Sequence, residues 1–285
     1  MDSITHDLES KLDVFALTRR GALTDTLPQV ARTLESAGTL SLDAALLFAV
    51  SGNEADLSQL PTSRGLTGSR LLVDERTDIV KRLSARTTDA VVHVLADNAG
   101  SELCFDLILI GTLLELGAAA VELHVKPRPM FVSDALSSDV EETLCAFERW
   151  PPGTALNRMG QVLYRAIRDD RIRVRAPLDW GEPRHVDELE PEVLRALRSS
   201  RLVLVKGDLN YRRYFGDRAW PAQTPVQVAS LAEGQHACAL RVLKSDCVVG
   251  IPIPDVERLR ATEADWRSNG MHSLVQRIDG GTESP

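Results

Sequence analysis

Lysine is scarce in this chain. Of its 33 basic residues only five are lysines, Lys11, Lys81, Lys126, Lys206 and Lys244, and the rest are arginines. Cysteine is equally sparse: Cys104, Cys145, Cys238 and Cys247 show no CxxC spacing. That excludes a disulfide framework or a zinc knuckle and leaves free thiols in a reducing cytoplasm as the expectation. Aromatic residues make up 5% of a chain that is 44% hydrophobic, so the core must be built mainly from aliphatic side chains. Positive charge is in deficit, with a formal net charge of −8. General attraction to nucleic acid or to an anionic membrane is therefore not expected, and an anionic ligand needs local positive charge. Uninterrupted apolar runs of membrane length are missing as well. The most apolar stretch, 103–123, contains Asp106, Glu115 and Glu122, and reads as a helix followed by a strand. The first residues, MDSITHDLESKLDVFALTRRG, hold no apolar segment of the secretory kind, so a cytoplasmic location is expected. There is no GxxxxGK[ST] phosphate loop, no GxGxxG after a strand, no HExxH and no GxSxG elbow.

What is present has an alternating rhythm. Residues 1–86 form an expected helical N-terminal region, in which Leu8, Leu12 and Phe15 share one face and Ala44 to Val50 make a second apolar helix. Residues 51–68 read as a loop, and 70–83 as a short extended piece followed by an amphipathic helix. From 87 to 285 the pattern is that of an α/β domain. AVVHVLA (90–96), VELHVK (121–126) and RLVLVKGD (201–208) are apolar runs of strands buried on both faces, and 237–251 supplies one or two more. Helices separate them, with Leu103, Leu107, Ile110 and Leu114 on one face of the first. The expectation is an α/β fold with a mostly parallel sheet covered on both faces. In such sheets ligands bind beyond the carboxyl ends of the strands.

Three strand ends are chemically rich. Asp97-Asn98-Ala99-Gly100-Ser101-Glu102 joins a strand to a helix, whose N-terminus favours a phosphate. A carboxylate and an amide oxygen suit a hard divalent cation, although helix capping by Asn98 or Ser101 accounts for the same residues. Phe131-Val132-Ser133-Asp134 follows the next strand, so parallel pairing would bring Asp134 towards Asp97; here too a cap is the alternative. Lys206-Gly207-Asp208-Leu209-Asn210-Tyr211-Arg212 repeats the arrangement, with Gly207 permitting close backbone approach. Three of the five lysines, Lys126, Lys206 and Lys244, fall at or near strand ends, where a compact cation can meet a phosphoryl group or simply reach solvent. Arg212, Arg213 and Arg218 add charge nearby. His93 and His124 lie inside strands and are expected as packed core residues.

Taken in order, GNEADLS (52–58), DNAGSELCFDLIL (97–109), KPRPMFVSD (126–134), KGDLNYRRYFGDRAW (206–220) and RVLK (241–244) give the chain a family likeness. It resembles the damage-control phosphatases, in particular the acidic-residue methyltransferase-like branch that hydrolyses sugar phosphates. The resemblance implies a Rossmann-like α/β/α sandwich with a helical N-terminal part. It also implies a divalent metal, Mn²⁺, Co²⁺ or Ni²⁺ with Mg²⁺ as the alternative, on Asp97, Asn98 and Asp134. It carries substrate contacts to Glu102, Asp208, Leu209, Asn210, Tyr211 and Lys244. Two departures stand out. The family's Arg-Thr-x-Lys signature has Val242 in its second place, and the N-terminal region is shorter than in the long eukaryotic members.

The function these residues imply is metal-dependent hydrolysis of a small phosphorylated metabolite, with Lys126, Lys244 and Arg241 holding phosphate oxygens. Two other activities fit the same resemblance. One is an S-adenosylmethionine-dependent carboxyl methyltransferase acting on protein glutamate, against which the missing glycine-rich loop counts. The other is a sugar-phosphate-binding protein without turnover, for which Val242 is the sole support.

Overall fold

The structure, a computed structural model, describes residues 13–52, 70–84 and 91–279. The expected contribution of Leu8 and Leu12, and all but the first residue of the GNEADLS motif, lie outside the described residues.

Two helices open the described chain: α1 (Ala16–Ala37) and α2 (Leu42–Ser51). On α1, Leu23, Leu27, Val30 and Leu34 recur at helical spacing and are buried. Ser41 caps α2 by accepting from the Ala44 amide at 3.2 Å. There follow β1 (Arg70–Asp74), α3 (Arg76–Ser84), β2 (Val91–Leu95), α4 (Ser101–Glu115), β3 (Ala120–His124), α5 (Ser137–Arg149), α6 (Ala155–Arg168) and β4 (Ile172–Arg175). Two short 3₁₀ turns lead to α7 (Pro191–Ser199), β5 (Leu202–Lys206), α8 (Gly207–Phe215), α9 (Val226–Ala229), β6 (His236–Val242), α10 (Ile253–Thr262) and β7 (His272–Asp279).

The strands form one seven-stranded sheet in the order β1-β7-β6-β5-β2-β3-β4. All neighbours are parallel except β6 and β7. The fold is therefore the expected α/β arrangement with a mostly parallel sheet. Alternation along β6 places Cys238, Leu240 and Val242 in the apolar cluster beneath α1, α2, α4 and α6. Ala237 and Ala239 enter the second cluster with α8 and α10 on the opposite face.

Differences from expectation have identifiable causes. β4 was hidden because its sequence, IRVR, interleaves arginines; Arg173 and Arg175 reach Glu122 on β3 at 3.6 and 3.5 Å. β7, HSLVQRID, carries polar residues that are buried, His272 and Gln276 among them. The apolar run after Val242 is a loop rather than a second strand. Its backbone is satisfied by side chains and by another loop. Val249 donates to the Tyr211 hydroxyl at 3.3 Å and accepts from Gln276 Nε2 at 3.0 Å, while Ile251 donates to the Ala222 carbonyl. The extended piece and helix expected over 70–83 are β1 and α3, and β1 enters the sheet beside β7.

Candidate active site at the switch point of the sheet

From β2 the chain moves outward to β3 and β4, then returns to β5 on the other side of β2 and continues to β6. The direction of winding thus reverses between β2 and β5, and the crevice beyond their carboxyl ends is where such sheets bind ligands. Two helix N-termini open into it, α4 after β2 and α8 after β5. Gly207 begins α8 with φ of 76°, in the left-handed region. A Cβ at Gly207 would lie 1.9 Å from Asp97 Oδ2, so only glycine lets β5 pass this carboxylate.

The β2–α4 turn and the loop after β3 are stitched together. Asn98 and Asp134 form an antiparallel bridge, with the Ala99 amide donating to the Ser133 carbonyl at 2.7 Å and the Ala135 amide to the Asp97 carbonyl at 3.0 Å. Asp134 Oδ2 accepts from the Met130 and Phe131 amides at 2.9 and 2.7 Å, which fixes the side chain from its own loop. Asn98 Nδ2 donates to Asp97 Oδ2 at 3.2 Å and to Glu102 Oε2 at 2.9 Å, and Ser133 Oγ donates to Asn98 Oδ1 at 2.7 Å. Lys126, itself almost fully buried, places Nζ 3.8 Å from Asp97 Oδ1.

Charge in the crevice is unbalanced. The Asp97 carboxyl is raised to about 7: burial pushes it up, Lys126 pulls it down, and Glu102, Asp134 and Asp208 push it up again. Burial also lowers Lys126 against the pull of Asp97 and Asp134. On α4, one turn beyond Glu102, Asp106 is likewise raised to about 7 by burial.

The donor set fits a hard divalent cation: two carboxylates and an amide on adjoining turns, all oxygen-bearing, in a pocket whose acidic excess a cation would relieve. A different group has metal-like spacing. Among the described residues, ligand atoms of His93, Glu122 and His124 all lie within 4.8 Å of one another, close enough for one divalent ion. Its hydrogen bonds favour a packed pair instead. Trp180 Nε1, which can only donate, lies 3.1 Å from His124 Nδ1. The His124 proton therefore sits on Nε2 and is directed at His93 Nδ1, 2.8 Å away. With that tautomer no His124 lone pair faces an ion. Burial lowers both imidazoles, His124 to about 3.

A family profile described as the damage-control phosphatase ARMT1-like domain matches residues 3–259. The chain belongs to this family. Damage-control phosphatase ARMT1 of Danio rerio is 32% identical over 197 residues, covering 66% of this chain and 43% of that protein. The Homo sapiens protein of the same name is 29% identical over 208 residues, with coverage of 69% and 45%. The chain spans less than half the length of these curated relatives. A DUF89 family protein from Pyrococcus horikoshii, known from a crystal structure, superposes with a TM-score of 0.54 at 16% identity, covering 94% of this chain and 76% of that one. At that identity the likeness speaks to the fold.

Within this damage-control phosphatase domain, Asp97, Asn98, Glu102, Lys126 and Asp134 come together, and Gly207 and Asp208 meet them across the crevice. Leu209 is half-buried in the first turn of α8. Other expected contacts turn inward. Asn210 Nδ2 donates to the carbonyls of Leu95, Ala96 and Lys206 at 2.9–3.2 Å, tying β2 to α8. The Tyr211 hydroxyl bonds Gln276 Oε1 at 3.0 Å, in the core. Arg241 is fully buried above the Tyr211 ring, 4.1 Å from its centroid. Its nitrogens hold Asp208, the Ser245 hydroxyl and the Cys247 carbonyl. Arg241 thus orients Asp208, whose Oδ1 also accepts from the Lys244 amide and from Ser245 Oγ at 3.2 Å each. Lys244 itself is exposed. Of the strand-end lysines, Lys206 points into the protein rather than the crevice. Arg212 pairs with Asp217, Arg218 stacks on Trp220, and Arg213 is held by the carbonyls of Trp180 and Arg184.

Ser133 and Ser245 were overlooked as orienting residues. Ser133 carried a signal through its place beside Asp134, whereas Ser245 had none. The departure at Val242 has a simple setting: its side chain faces the apolar cluster, opposite to Arg241. Val242→Thr is accordingly expected to leave kcat and KM within about twofold while costing about 1–3 kcal/mol through a buried hydroxyl. Urea unfolding and steady-state kinetics on the same preparation check both halves.

Proposed function

We propose that this chain is a metal-dependent phosphomonoester hydrolase acting on small phosphorylated metabolites, sugar phosphates among them. The observation that carries the reading is the gathering of Asp97, Asn98 and Asp134 with one buried lysine between two helix N-termini at the switch point. Anions suit the helix ends and Lys126, and a cation suits the carboxylates, a pairing that a metal-bound phosphate satisfies as a whole.

Asp97, Asn98 and Asp134 would hold the ion, for which Mn²⁺, Co²⁺, Ni²⁺ and Mg²⁺ are the candidates. When bound it would neutralise charge on the phosphoryl group. Lys126 would face phosphate oxygens from the β3 side, and the first-turn amides of α4 and α8 would supply further donors. Asp208, fixed by Arg241, Ser245 and the Lys244 backbone, is placed to meet hydroxyl groups on the rest of the substrate. Closed packing around Asp97 would limit water to the side on which the substrate enters.

The test is a phosphatase screen over sugar phosphates on the EDTA-stripped chain, with each of the four metals supplied in turn. Metal-dependent release of phosphate is expected, abolished in Asp97→Ala and Asp134→Ala proteins that keep their circular dichroism spectrum. Full activity after metal stripping would contradict the reading.

A further inference from the structure

Beneath the β2–α4 turn lies a group of charges that the proposed reaction does not use. Lys206, the last residue of β5, has no solvent exposure. Its Nζ lies 3.2 Å from Glu102 Oε1 and 3.0 Å from Asp106 Oδ1, and it donates to the Ala49 carbonyl at the end of α2. Among the described residues the Asp106 oxygens have no well-aligned hydrogen bond, the approach of Lys206 at 3.0 Å serving as an ion pair. Buried ions so incompletely satisfied are costly, and apolar side chains of similar size would pack this spot more stably.

What the group holds is Glu102. One oxygen of that carboxylate meets Lys206 and the other accepts from Asn98 Nδ2 at 2.9 Å. The two ends of the Asn98 amide are not equivalent, because only Oδ1 can bind a cation. With Nδ2 committed to Glu102 and Asp97, Oδ1 is directed the other way, to where Ser133 Oγ reaches it at 2.7 Å.

We propose that Lys206 is a positioning residue for the cation ligand Asn98: it clamps Glu102, which in turn dictates which end of the amide is offered to the ion. This rests on the metal reading above. Simple electrostatics predicts the opposite outcome from positioning, which makes the two separable. Removing a buried cation behind an acidic pocket leaves more negative charge there and should strengthen divalent binding. Loss of a ligand's orientation should weaken it.

The experiment is calorimetric titration of Mn²⁺ into the EDTA-stripped full chain, wild type against Lys206→Met, with kcat and KM for p-nitrophenyl phosphate measured at saturating Mn²⁺. For Lys206→Met the Mn²⁺ Kd is expected to rise about 10- to 100-fold, the usual range for disturbing an outer-shell partner. KM should stay within about twofold, since Lys206 does not face the substrate. An unchanged or lower Kd overturns the proposal. Should circular dichroism show that Lys206→Met does not fold, Lys206→Met/Asp106→Asn removes both charges together and carries the same expectation and the same overturning result. A wild-type chain that takes up none of Mn²⁺, Co²⁺, Ni²⁺ and Mg²⁺, titrated in turn, overturns the metal reading and this inference with it, whereas equal binding by wild type and variant of a metal the wild type takes up overturns the inference alone.

Discussion

Gly207→Ala is expected to lower kcat at saturating metal by about 100-fold or more, because displacing a reacting group by an ångström costs that much. The added methyl would sit 1.9 Å from Asp97 Oδ2 and 2.4 Å from its Cγ, so either the carboxylate or the start of α8 must move. Neither is free to do so without loss. Asp97 is held by Asn98 and faces Lys126, while α8 is tied to β2 by the three bonds of Asn210. A left-handed alanine adds about 1–2 kcal/mol of backbone cost. Gly216→Ala separates the two effects. Gly216 has φ of 70°, but its added Cβ would come no closer than 3.5 Å to any neighbour. That variant should lose a similar increment of stability and keep its activity. Equal kinetic damage in the two variants would show that strain, rather than collision with Asp97, explains the Gly207 result.

The second large effect is expected at Lys126. Lys126→Met removes the buried ammonium opposite Asp97 and should reduce kcat by about 10²–10³-fold, the usual loss on deleting one stabilising donor from a water-poor site. Its effect on metal should run the other way. With no cation 3.8 Å from Asp97 Oδ1, Mn²⁺ binding should hold or tighten, because no positive side chain would then compete with the ion for that carboxylate. Lys126 and Lys206 thus make a pair with opposite signatures: slower turnover with tighter metal at the first, weaker metal at the second. Titration calorimetry of both variants with Mn²⁺ reads the difference directly. Loosened metal binding in Lys126→Met would mean that this lysine shapes the ligands rather than meeting the phosphate.

How much of this was legible depends on where each residue's surroundings come from. β2, β3 and β5 announce themselves as apolar runs because each is buried on both faces. Asp97, Asn98 and Asp134 stand at strand-to-helix turns, so a parallel sheet alone brings them to one end. Inward or outward orientation is a different matter. Arg241 and Tyr211 look like ligand-binding residues in a linear reading. They are core residues because the loop of residues 243–251 folds back over them, and nothing local signals that return. Lys206 misleads in the same way: strand-end position suggests an outward cation, yet two acidic residues of α4 draw it inside. Asp106 looked like an interruption of an apolar stretch, and only tertiary contact shows what it accompanies.

The placement of β7 has a consequence for how the molecule comes into being. Because β7 lies between β1 and β6, β1 has no partner in the sheet until the strand ending at Asp279 exists. A chain emerging from the ribosome must therefore carry residues 70–74 without their sheet partner through the synthesis of nearly 200 further residues, a long interval for an exposed strand. The middle of the sheet, β2, β3, β4 and β5, has no such dependence and can assemble as it appears. The crevice between β2 and β5 can thus take shape before the edge of the sheet is closed, so damage near the end of the chain should first show as a loosened β1 edge.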